Sequence, residues 1–305
     1  MNDEIIEKYM KAGAIAAEAR DTGLAHIKPG ISFLEIVSVV EEIIEKRGAA
    51  PSFPVNISVN EIAAHFSPLN EDNHVFKTGD VVKLDVGTHI DGYIADTAVT
   101  TEVDSDKYSS LISASEDSLE KVIAQMRPGI SLNKIGKMVQ ETIQSYHFRP
   151  IENLTGHSLN QYSLHSGMSI PNVPSIGLQK KPKAGDAIAV EPFATTGSGR
   201  VVSQGKSNIY LINNGFRLRQ LRDHRAKLQI KQLKKAFHTL PFTTRWCEGK
   251  ISNVTVSLQR LSYLGLLHHY PKLVEQNKGI VSQKEHTLIV TNDGCQVTTY
   301  GKHEQ

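Results

Sequence analysis

The sequence contains little cysteine, little net charge and no long apolar run. Its two cysteines, Cys247 and Cys295, exclude a disulfide framework and a CxxC metal knuckle, and they are typical of a protein from a reducing compartment. The formal net charge of +2 predicts no polyanion binding by the chain as a whole. No run approaches the roughly 18 apolar residues of a membrane span, and the charged N-terminus has no apolar signal-peptide region. These absences together predict a soluble cytoplasmic protein.

The rest of the composition is sufficient for a large core. The chain has 305 residues, of which 39% are hydrophobic and 22% are charged, as is typical of a globular protein and not of a disordered tail. This length allows one large domain or two.

The segment 79–100 predicts a β-hairpin that carries one acid in each strand. Asp91-Gly92, between two apolar runs, is a strong signal for a two-residue turn. With that turn, the numbers of facing residues sum to 183, unless a bulge at Gly87 shifts the register. The predicted facing pairs are Asp85 with Ala98 and Gly87 with Asp96.

Asp85 and Asp96 then lie on one apolar face as diagonal neighbours, about 7–8 Å apart at the backbone. Two ionised acids in such a place repel each other and lose hydration. A cation between them, a shared proton or an Arg partner would each relieve this cost.

The second part of the chain repeats features of the first. Pro29-Gly30-Ile31-Ser32 recurs 99 residues later as Pro128-Gly129-Ile130-Ser131, each time after a helical pattern, at 3–27 and at 107–126. Five residues beyond Gly79-Asp80 lies Asp85, and five beyond Gly185-Asp186 lies Glu191, next to the apolar strand 187–190. We therefore predict two pseudo-symmetric halves that bring these two acids toward one axis. The halves span 1–104 and 105–195 with 281–305.

A long insertion separates the two strands of the second hairpin. Glu285 takes the place of Asp96 at the start of a returning strand, but it follows Glu191 only after 94 residues. Insertions at hairpin tips cost little, because loop-closure entropy grows only logarithmically with length. Helical patterns at 220–237 and 256–268 predict a small helical subdomain that spans 205–272.

The main chemical signal is a set of four acids in corresponding places of the doubled unit, namely Asp85, Asp96, Glu191 and Glu285. Carboxylate-rich sites favour divalent ions such as Mn, Fe, Co, Mg or Zn. Two such ions about 3.5–4 Å apart activate a water and polarise a carbonyl. His65, His157 and His165 are candidates to complete the site, but spacing alone does not distinguish a ligand from a proton carrier.

Two further signals concern phosphate and RNA. Gly205-Lys206-Ser207 is similar to the end of a phosphate-binding loop, but the glycine required at position 200 is replaced by Arg200, so we expect no nucleotide cofactor. Between Arg217 and Lys250 the chain holds ten Lys or Arg residues against two acids. This basic run is either a solvated helix face or a surface that docks on ribosomal RNA.

Six motifs together resemble the type II methionine aminopeptidases of peptidase family M24. They are Asn60-Glu61-Ile62-Ala63-Ala64-His65, Lys83-Leu84-Asp85-Val86-Gly87 with Asp96-Thr97-Ala98, Gly156-His157-Ser158, His165-Ser166-Gly167, Ala189-Val190-Glu191-Pro192-Phe193 and Glu285-His286-Thr287. The resemblance covers essentially the whole chain, and the start of the chain at the catalytic unit is similar to archaeal members. It implies an α+β pita-bread fold with a central antiparallel sheet, helices outside and an inserted helical, winged-helix-like subdomain.

The resemblance implies a hydrolase that removes the initiator methionine from nascent proteins and favours small, uncharged second residues. Two divalent ions (Co, Mn, Fe or Zn) would be held by Asp85, Asp96, His157, Glu191 and Glu285. Glu191 would also carry the proton, and His65 and His165 would contact the substrate amide. A methionine pocket should be apolar, and its candidate residues are Phe53, Leu164, Phe193 and Tyr270.

The resemblance also implies a monomer that acts on nascent-chain N-termini, away from membranes, with the ribosome as a further partner through the basic run. Two alternatives stay open. One is a non-catalytic protein of the proliferation-associated type, although such relatives have lost metal ligands that are all present here. The other is an Xaa-Pro peptidase or dipeptidase, which usually carries a large N-terminal domain.

Overall fold

The structure, a computed structural model, describes residues 1–175, 177, 180–213, 215, 221–302 and 304. This part of the chain contains helices α1 Asp3–His26, α2 Phe33–Lys46, α3 Ser109–Gln125, α4 Leu132–Ser145, α5 His224–Phe237 and α6 Val254–Tyr263, and a 3-10 turn at Arg245–Cys247. None of these helices is long and apolar enough to cross a bilayer.

The strands pair antiparallel in four sheets. In chain order they are β1 Ala50–Pro51, β2 Asn56–Val59, β3 Ile62–Ala64, β4 Val81–Ile90, β5 Tyr93–Glu102, β6 Arg149–Pro150, β7 Thr155–Leu159, β8 Ser169–Pro171, β9 Ala187–Val190, β10 Phe193–Thr195, β11 Val201–Ile212, β12 Phe242–Thr243, β13 Leu267–Glu275, β14 Val281–Gln283, β15 His286–Val290 and β16 Cys295–Val297.

Strands β4 and β5 form the predicted hairpin. Asp85 pairs with Ala98 and Gly87 pairs with Asp96 in an unbroken ladder, so the predicted register is confirmed and no bulge occurs at Gly87. Strands β1 and β2 flank β4, and α1 and α2 bury their apolar faces against this sheet. The two acids are therefore fixed on a rigid, covered hairpin.

The second group of elements has a similar arrangement around its own core. Helices α3 and α4 pack against strands β8, β9, β10 and β15, with Leu119, Ile135, Ile188 and Leu288 in the shared cluster. The five-stranded sheet has the order β16-β15-β9-β7-β8, and β10 lies between β6 and β14 in a separate sheet.

The two sets of elements meet at Ala98 and Glu285. The amide of Ala98 donates to the Glu285 carbonyl at 3.3 Å, and the amide of Glu285 donates to the Ala98 carbonyl at 3.0 Å. Because Ala98 faces Asp85 across the hairpin, this contact brings Glu285 next to both acids of the first hairpin.

The insertion contains helices α5 and α6 around a small core that includes Ile230, Leu233, Leu258 and Leu261. Helix α5 lies within the predicted pattern 220–237, whereas α6 begins two residues before the predicted pattern 256–268 and ends five residues before its end. It also contains the long strands β11 and β13, which the sequence patterns did not predict. Strand β13 pairs with β3, the strand that directly precedes His65. The insertion is therefore joined by a sheet to the segment that carries this histidine. The predicted helical pattern begins at residue 220, and the basic run begins at Arg217, both of which lie outside the described residues.

Candidate metal centre

The five predicted ligands lie around one cavity where the two sets of elements meet. Each is placed by a strand: Asp85 lies in β4, Asp96 in β5 and His157 in β7, Glu191 directly follows β9, and Glu285 directly precedes β15. The repeated sequence unit thus contributes acids from both parts of the chain to a single site.

Three of these side chains are close enough to share one ion. Ligand atoms of Asp96, His157 and Glu285 all lie within 4.8 Å of one another. The Nε2 atom of His157 is 3.6 Å from Asp96 Oδ2 and 4.0 Å from Glu191 Oε1. In the part of the chain that the structure describes, no Lys or Arg forms an ion pair with these acids, so an Arg partner is not how their charge is compensated.

Burial makes these carboxylates hard to ionise without a cation. It raises the pKa of Asp85 to about 7. Burial also raises the pKa values of Asp96, Glu191 and Glu285 well above their usual range, and the neighbouring carboxylates raise them further. Burial lowers the pKa of His157 to about 3, so its imidazole is neutral, as a metal ligand must be.

The unpartnered polar atoms of the site fit a divalent cation. Asp85 Oδ1, Asp96 Oδ1 and Glu285 Oε1 are buried and find no hydrogen-bond partner among the described residues. Buried polar atoms are rarely left in this state. Several carboxylate oxygens and one imidazole form a donor set that Mn, Fe, Co and Zn all accept, so the residues fit a metal without selecting one element.

His65 and His165 lie beside the acids and line the same cavity. His65 directly follows β3 and has a φ of +63°, a left-handed conformation that is unusual for a residue with a side chain. The ring centroids of His157 and His165 are 4.3 Å apart. Burial lowers the pKa of His65 to about 4 and also lowers the pKa of His165, so both rings are neutral near pH 7.

One wall of the cavity is apolar, and it includes three of the four predicted pocket residues. Its lining residues are Phe53, Leu164, Ile209, Pro241 and Tyr270. The ring of Tyr270 also packs edge-on against His65, with centroids 5.2 Å apart. The insertion therefore supplies Ile209, Pro241 and Tyr270 to the apolar lining of the cavity.

Phe193, the fourth predicted pocket residue, does not line this cavity. The chain changes sheets at Pro192, because Phe193 begins β10, which pairs with β14 and β6 and not with β9. Its ring packs instead with Ile151, Val201 and Val281 in a separate cluster. The motif around Glu191 therefore contributes an acid to the site and an aromatic ring to the core.

Sequence patterns missed Gln283, which contacts two of the acids. Its Nε2 atom lies 3.2 Å from Glu191 Oε2 and 3.3 Å from Glu285 Oε2 and donates to both. The available signal was its position two residues before Glu285, since alternate residues of an extended chain share a face. Asn56, which pairs with Asp85 across β2 and β4, and the insertion residues Ile209 and Pro241 were also missed.

Residues 7–224, more than half of the chain, match Metallopeptidase family M24. The chain belongs to this family. The buried group of Asp96, His157 and Glu285 is thus the candidate metal site of an M24 metallopeptidase.

Sequence relatives of this M24 chain align with nearly its whole length. The methionine aminopeptidase of Methanocaldococcus jannaschii is 42% identical over 299 residues, which cover 98% of this chain and 100% of that protein. The methionine aminopeptidase of Archaeoglobus fulgidus is 43% identical over 302 residues, with 98% and 100% coverage. The crystal structure of methionine aminopeptidase from Thermotoga maritima superposes with a TM-score of 0.72 at 26% identity, over 98% of each chain. The predicted pita-bread fold is confirmed.

Proposed function

We propose that this chain is a type II methionine aminopeptidase, which removes the initiator methionine from nascent proteins and favours small, uncharged second residues. The observation that carries this proposal is the buried cluster of Asp96, His157 and Glu285 in an M24 chain whose full-length relatives are methionine aminopeptidases. The insertion between Glu191 and Glu285, with α5 and α6, supports the type II assignment.

We assign two divalent ions, Co, Mn, Fe or Zn, to the five ligands. In this assignment Asp96 and Glu285 would be ligands of both ions, Asp85 would hold one of them, and His157 with Glu191 would hold the other. The unpartnered oxygens of Asp85, Asp96 and Glu285 support it. When bound, such ions lower the pKa of a water and polarise a scissile carbonyl.

Glu191 is the group to which we assign proton transfer. Burial raises its pKa well above the usual range, so its carboxyl is able to hold a proton closer to neutral pH than an exposed glutamate. Gln283 donates to Oε2 at 3.2 Å, which orients the carboxyl. The other carboxyl oxygen of Glu191, Oε1, lies 4.0 Å from His157 Nε2. We assign to this oxygen the exchange of a proton with the leaving nitrogen.

His65 and His165 are assigned to the substrate amide. Both rings are neutral at pH 7 because burial lowers their pKa values, so each ring nitrogen that carries hydrogen is able to donate without adding charge. Donors fixed in this way stabilise the developing oxyanion or the leaving nitrogen. The flexible, apolar methionine side chain would lie against the wall that contains Phe53, Leu164 and Tyr270.

A peptide assay separates this proposal from the two alternatives. Metal-free enzyme reloaded with Mn, Fe or Co is expected to release methionine from Met-Gly-Met-Met and to leave Gly-Pro and Ala-Pro-Ala intact. Cleavage of the proline peptides alone would identify an Xaa-Pro peptidase. Metal-loaded protein that cleaves none of the three peptides would indicate a binding protein.

We also propose that the basic run contacts the ribosome. Arg225, Lys231 and Lys235 lie exposed on α5, while Ile230 and Leu233 of the same helix are buried. Such a cationic face suits a phosphate backbone. Charge reversal of Arg222, Arg225 and Lys234 should weaken co-sedimentation with ribosomes at low salt. Charge reversal of the exposed Lys121, Lys134 and Lys137 on α3 and α4 is the matched control, and equal binding by both variants contradicts the proposal.

The monomeric state, the cytoplasmic location and the division into halves 1–104 and 105–195 with 281–305 stay predictions, as does the subdomain 205–272. Size-exclusion chromatography with light scattering tests the monomer most simply, with a mass near 33.7 kDa expected.

A further inference from the structure

A buried arginine lies behind the metal ligands and takes no part in the proposed chemistry. Arg20 of α1 is 1% exposed. Its guanidinium donates to Asp21 Oδ1 at 2.9 Å, to Glu304 Oε2 at 2.7 Å and to Thr97 Oγ1 at 2.7 Å. A charge buried to this extent is costly unless it is paired and hydrogen-bonded. The nitrogen that donates to Thr97 also donates to the Thr299 carbonyl, at 3.4 Å. Two of these four partners are carboxylates, but Thr97 offers a neutral hydroxyl next to Asp96, and this contact calls for an explanation.

Arg20 fixes the direction of the Thr97 hydroxyl. Because arginine has only donors, Thr97 Oγ1 must accept from it and point its own proton elsewhere. That proton is directed to the carbonyl oxygen of Glu285, 2.9 Å from Oγ1. The relay from Arg20 through Thr97 to Glu285 therefore joins α1 and β5 to the segment that carries the second bridging carboxylate.

Further contacts hold the same two segments together. The amide of Asp96 donates to Thr287 Oγ1 at 2.8 Å, and this hydroxyl donates back to the Asp96 carbonyl at 2.9 Å. Glu304 forms an ion pair with Arg20 at 2.7 Å and a second one with Lys284 at 2.5 Å. Lys284 is the residue before Glu285. Glu304 thus compensates the charges of two residues, each of which contacts or adjoins a ligand-bearing segment.

We propose that Arg20 and Thr97 are positioning residues for metal binding, and that the half-buried Glu304 is the counter-ion of Arg20. The relay sets the separation of Asp96 and Glu285, whose carboxylates would bridge the ions. This inference rests on the proposed function, since it concerns the affinity of the site for its metal. Partners that orient metal ligands typically contribute about 10–100-fold to metal affinity.

Titration of metal-free protein with Mn²⁺ in a calorimeter tests the relay. Thr97→Val keeps the shape of the side chain and removes the hydroxyl, whereas Thr97→Ser keeps the hydroxyl. Thr88→Val is the matched control, because Thr88 is also fully buried in the same hairpin and donates to the carbonyl of Ala12 at 2.8 Å. We expect Thr97→Val to weaken Mn²⁺ binding by about 10–100-fold. Thr97→Ser and Thr88→Val should bind as the unmodified protein does.

If Thr97 only stabilised the fold, Thr97→Val would lower the stability of the metal-free protein and leave its Mn²⁺ affinity unchanged. The metal-free unfolding midpoint should fall in both Thr97→Val and Thr88→Val, and further in Thr97→Val, because that variant also removes an acceptor of the buried Arg20 guanidinium. Equal Mn²⁺ affinity in these two variants overturns the inference, and so does an equal loss of affinity in Thr97→Ser and Thr97→Val.

Glu304→Gln provides a second variant should Thr97→Val not fold. It is expected to weaken Mn²⁺ binding in the same direction, and unchanged affinity there overturns the inference. Unmodified protein that neither binds Mn²⁺ nor cleaves Met-Gly-Met-Met would overturn the proposed function itself. If the unmodified protein binds Mn²⁺ and cleaves the peptide, but Thr97→Val and Glu304→Gln bind Mn²⁺ with unchanged affinity, only this inference is overturned.

Discussion

Asp96 lies in the buried group that is close enough to share one ion, with His157 and Glu285. Its carboxylate lies 3.6 Å from His157, and burial together with Asp85 and Glu191 raises its pKa well above the usual range. We predict that Asp96→Ala loses more than about 100-fold in activity, because it removes a ligand of both ions. Loss of a residue that only orients a metal ligand typically costs about 10–100-fold. Metal analysis should show fewer bound ions, while the circular dichroism spectrum stays close to that of the unmodified protein.

The exposed Asp106→Ala is the control for that variant and should keep both activity and metal. Two ions still bound in Asp96→Ala would contradict the bridging role.

His65 should be separable from metal binding. We predict that His65→Ala retains its metal content but loses turnover by about 10²–10³-fold, the cost of removing one donor that stabilises a developing charge. His268→Ala is the control, since His268 lies exposed on β13 near Tyr270 and does not line the cavity. Full activity in His65→Ala would remove this residue from the mechanism.

His89 near the hairpin turn should make stability depend on pH. Burial lowers its pKa to about 4, below the ordinary value of about 6.5. The folded protein therefore takes up this proton less readily than the unfolded chain, and stability that is present above pH 6.5 or so is lost as the pH falls toward about 4. Protonation of Nδ1 also breaks the hydrogen bond that it accepts from the amide of Gly92 at 3.1 Å.

We predict that His89→Gln loses about 1–2 kcal/mol less stability than the unmodified protein between pH 7 and 4.5. Urea unfolding at the two pH values measures this difference, with the exposed His26→Gln as control. Identical pH dependence in all three proteins would exclude a contribution from His89.

Single residues of the site were predictable where a local rule fixes their position. The turn at Asp91-Gly92 fixes the register, and the register places Asp85 and Asp96 on one face. Gln283 carries no charge and sits outside any hairpin signal, so its contact with Glu191 follows only from the folded structure. Phe193 was misplaced because the sequence does not show that the chain leaves one sheet for another at Pro192.

At the scale of elements, one carboxylate anchors both connections of the insertion. Glu275 at the end of β13 is fully buried. Its Oε1 accepts from the amide and hydroxyl of Ser198 at 2.5 and 2.6 Å, and its Oε2 accepts from the amides of Asn277 and Gly279 at 2.6 and 3.0 Å. A side chain at Gly197 would place its Cβ 2.3 Å from Oε2, so the chain approaches the carboxylate too closely for any residue but glycine.

We predict that Glu275→Gln lowers the free energy of unfolding by about 2–4 kcal/mol. The carboxylate accepts hydrogen bonds on both oxygens, whereas the amide of glutamine has only one acceptor oxygen and leaves the other donors unpaired. Urea unfolding measures this, and limited proteolysis should show earlier cleavage near 197–199 and 276–279. The exposed ion pair of Glu152 with Arg200 gives the control Glu152→Gln, which should change stability by less than about 1 kcal/mol. Equal stability of the two variants would contradict the anchoring role.

Helices were easier to predict than the strands of the insertion. The repeated apolar period of α2 and α4 is local, and Ile36, Val40 and Ile44 are all buried as that period requires. The first half of strand β11 has an exposed run, 202–206, that contains a single apolar residue, Val202, and so shows no alternation of apolar residues. Its existence depends on pairing with β13, which lies more than 50 residues later in the chain, and no local pattern reports such a partner.

At the scale of the whole molecule, the doubled sequence unit explains why one site contains acids from distant parts of the chain. Each unit ends in a strand with an acid at a corresponding place, and the contact between Ala98 and Glu285 joins the two units directly at the ligands. The long insertion leaves this junction intact, because it departs and returns on the same side of the site through β10 and β14, which pair with each other. The fold class was therefore predictable from the repeat and the motifs, whereas the contribution of the insertion to the cavity lining was not.

The most direct test of the account is the location of a bound metal. Crystals of the metal-free protein soaked in Mn²⁺ should give an anomalous scattering peak within coordination distance of Asp96, His157 and Glu285, and a second peak beside it that reaches Asp85 and Glu191. A saturating soak that leaves this cavity without a peak, or places manganese only elsewhere on the protein, would contradict it.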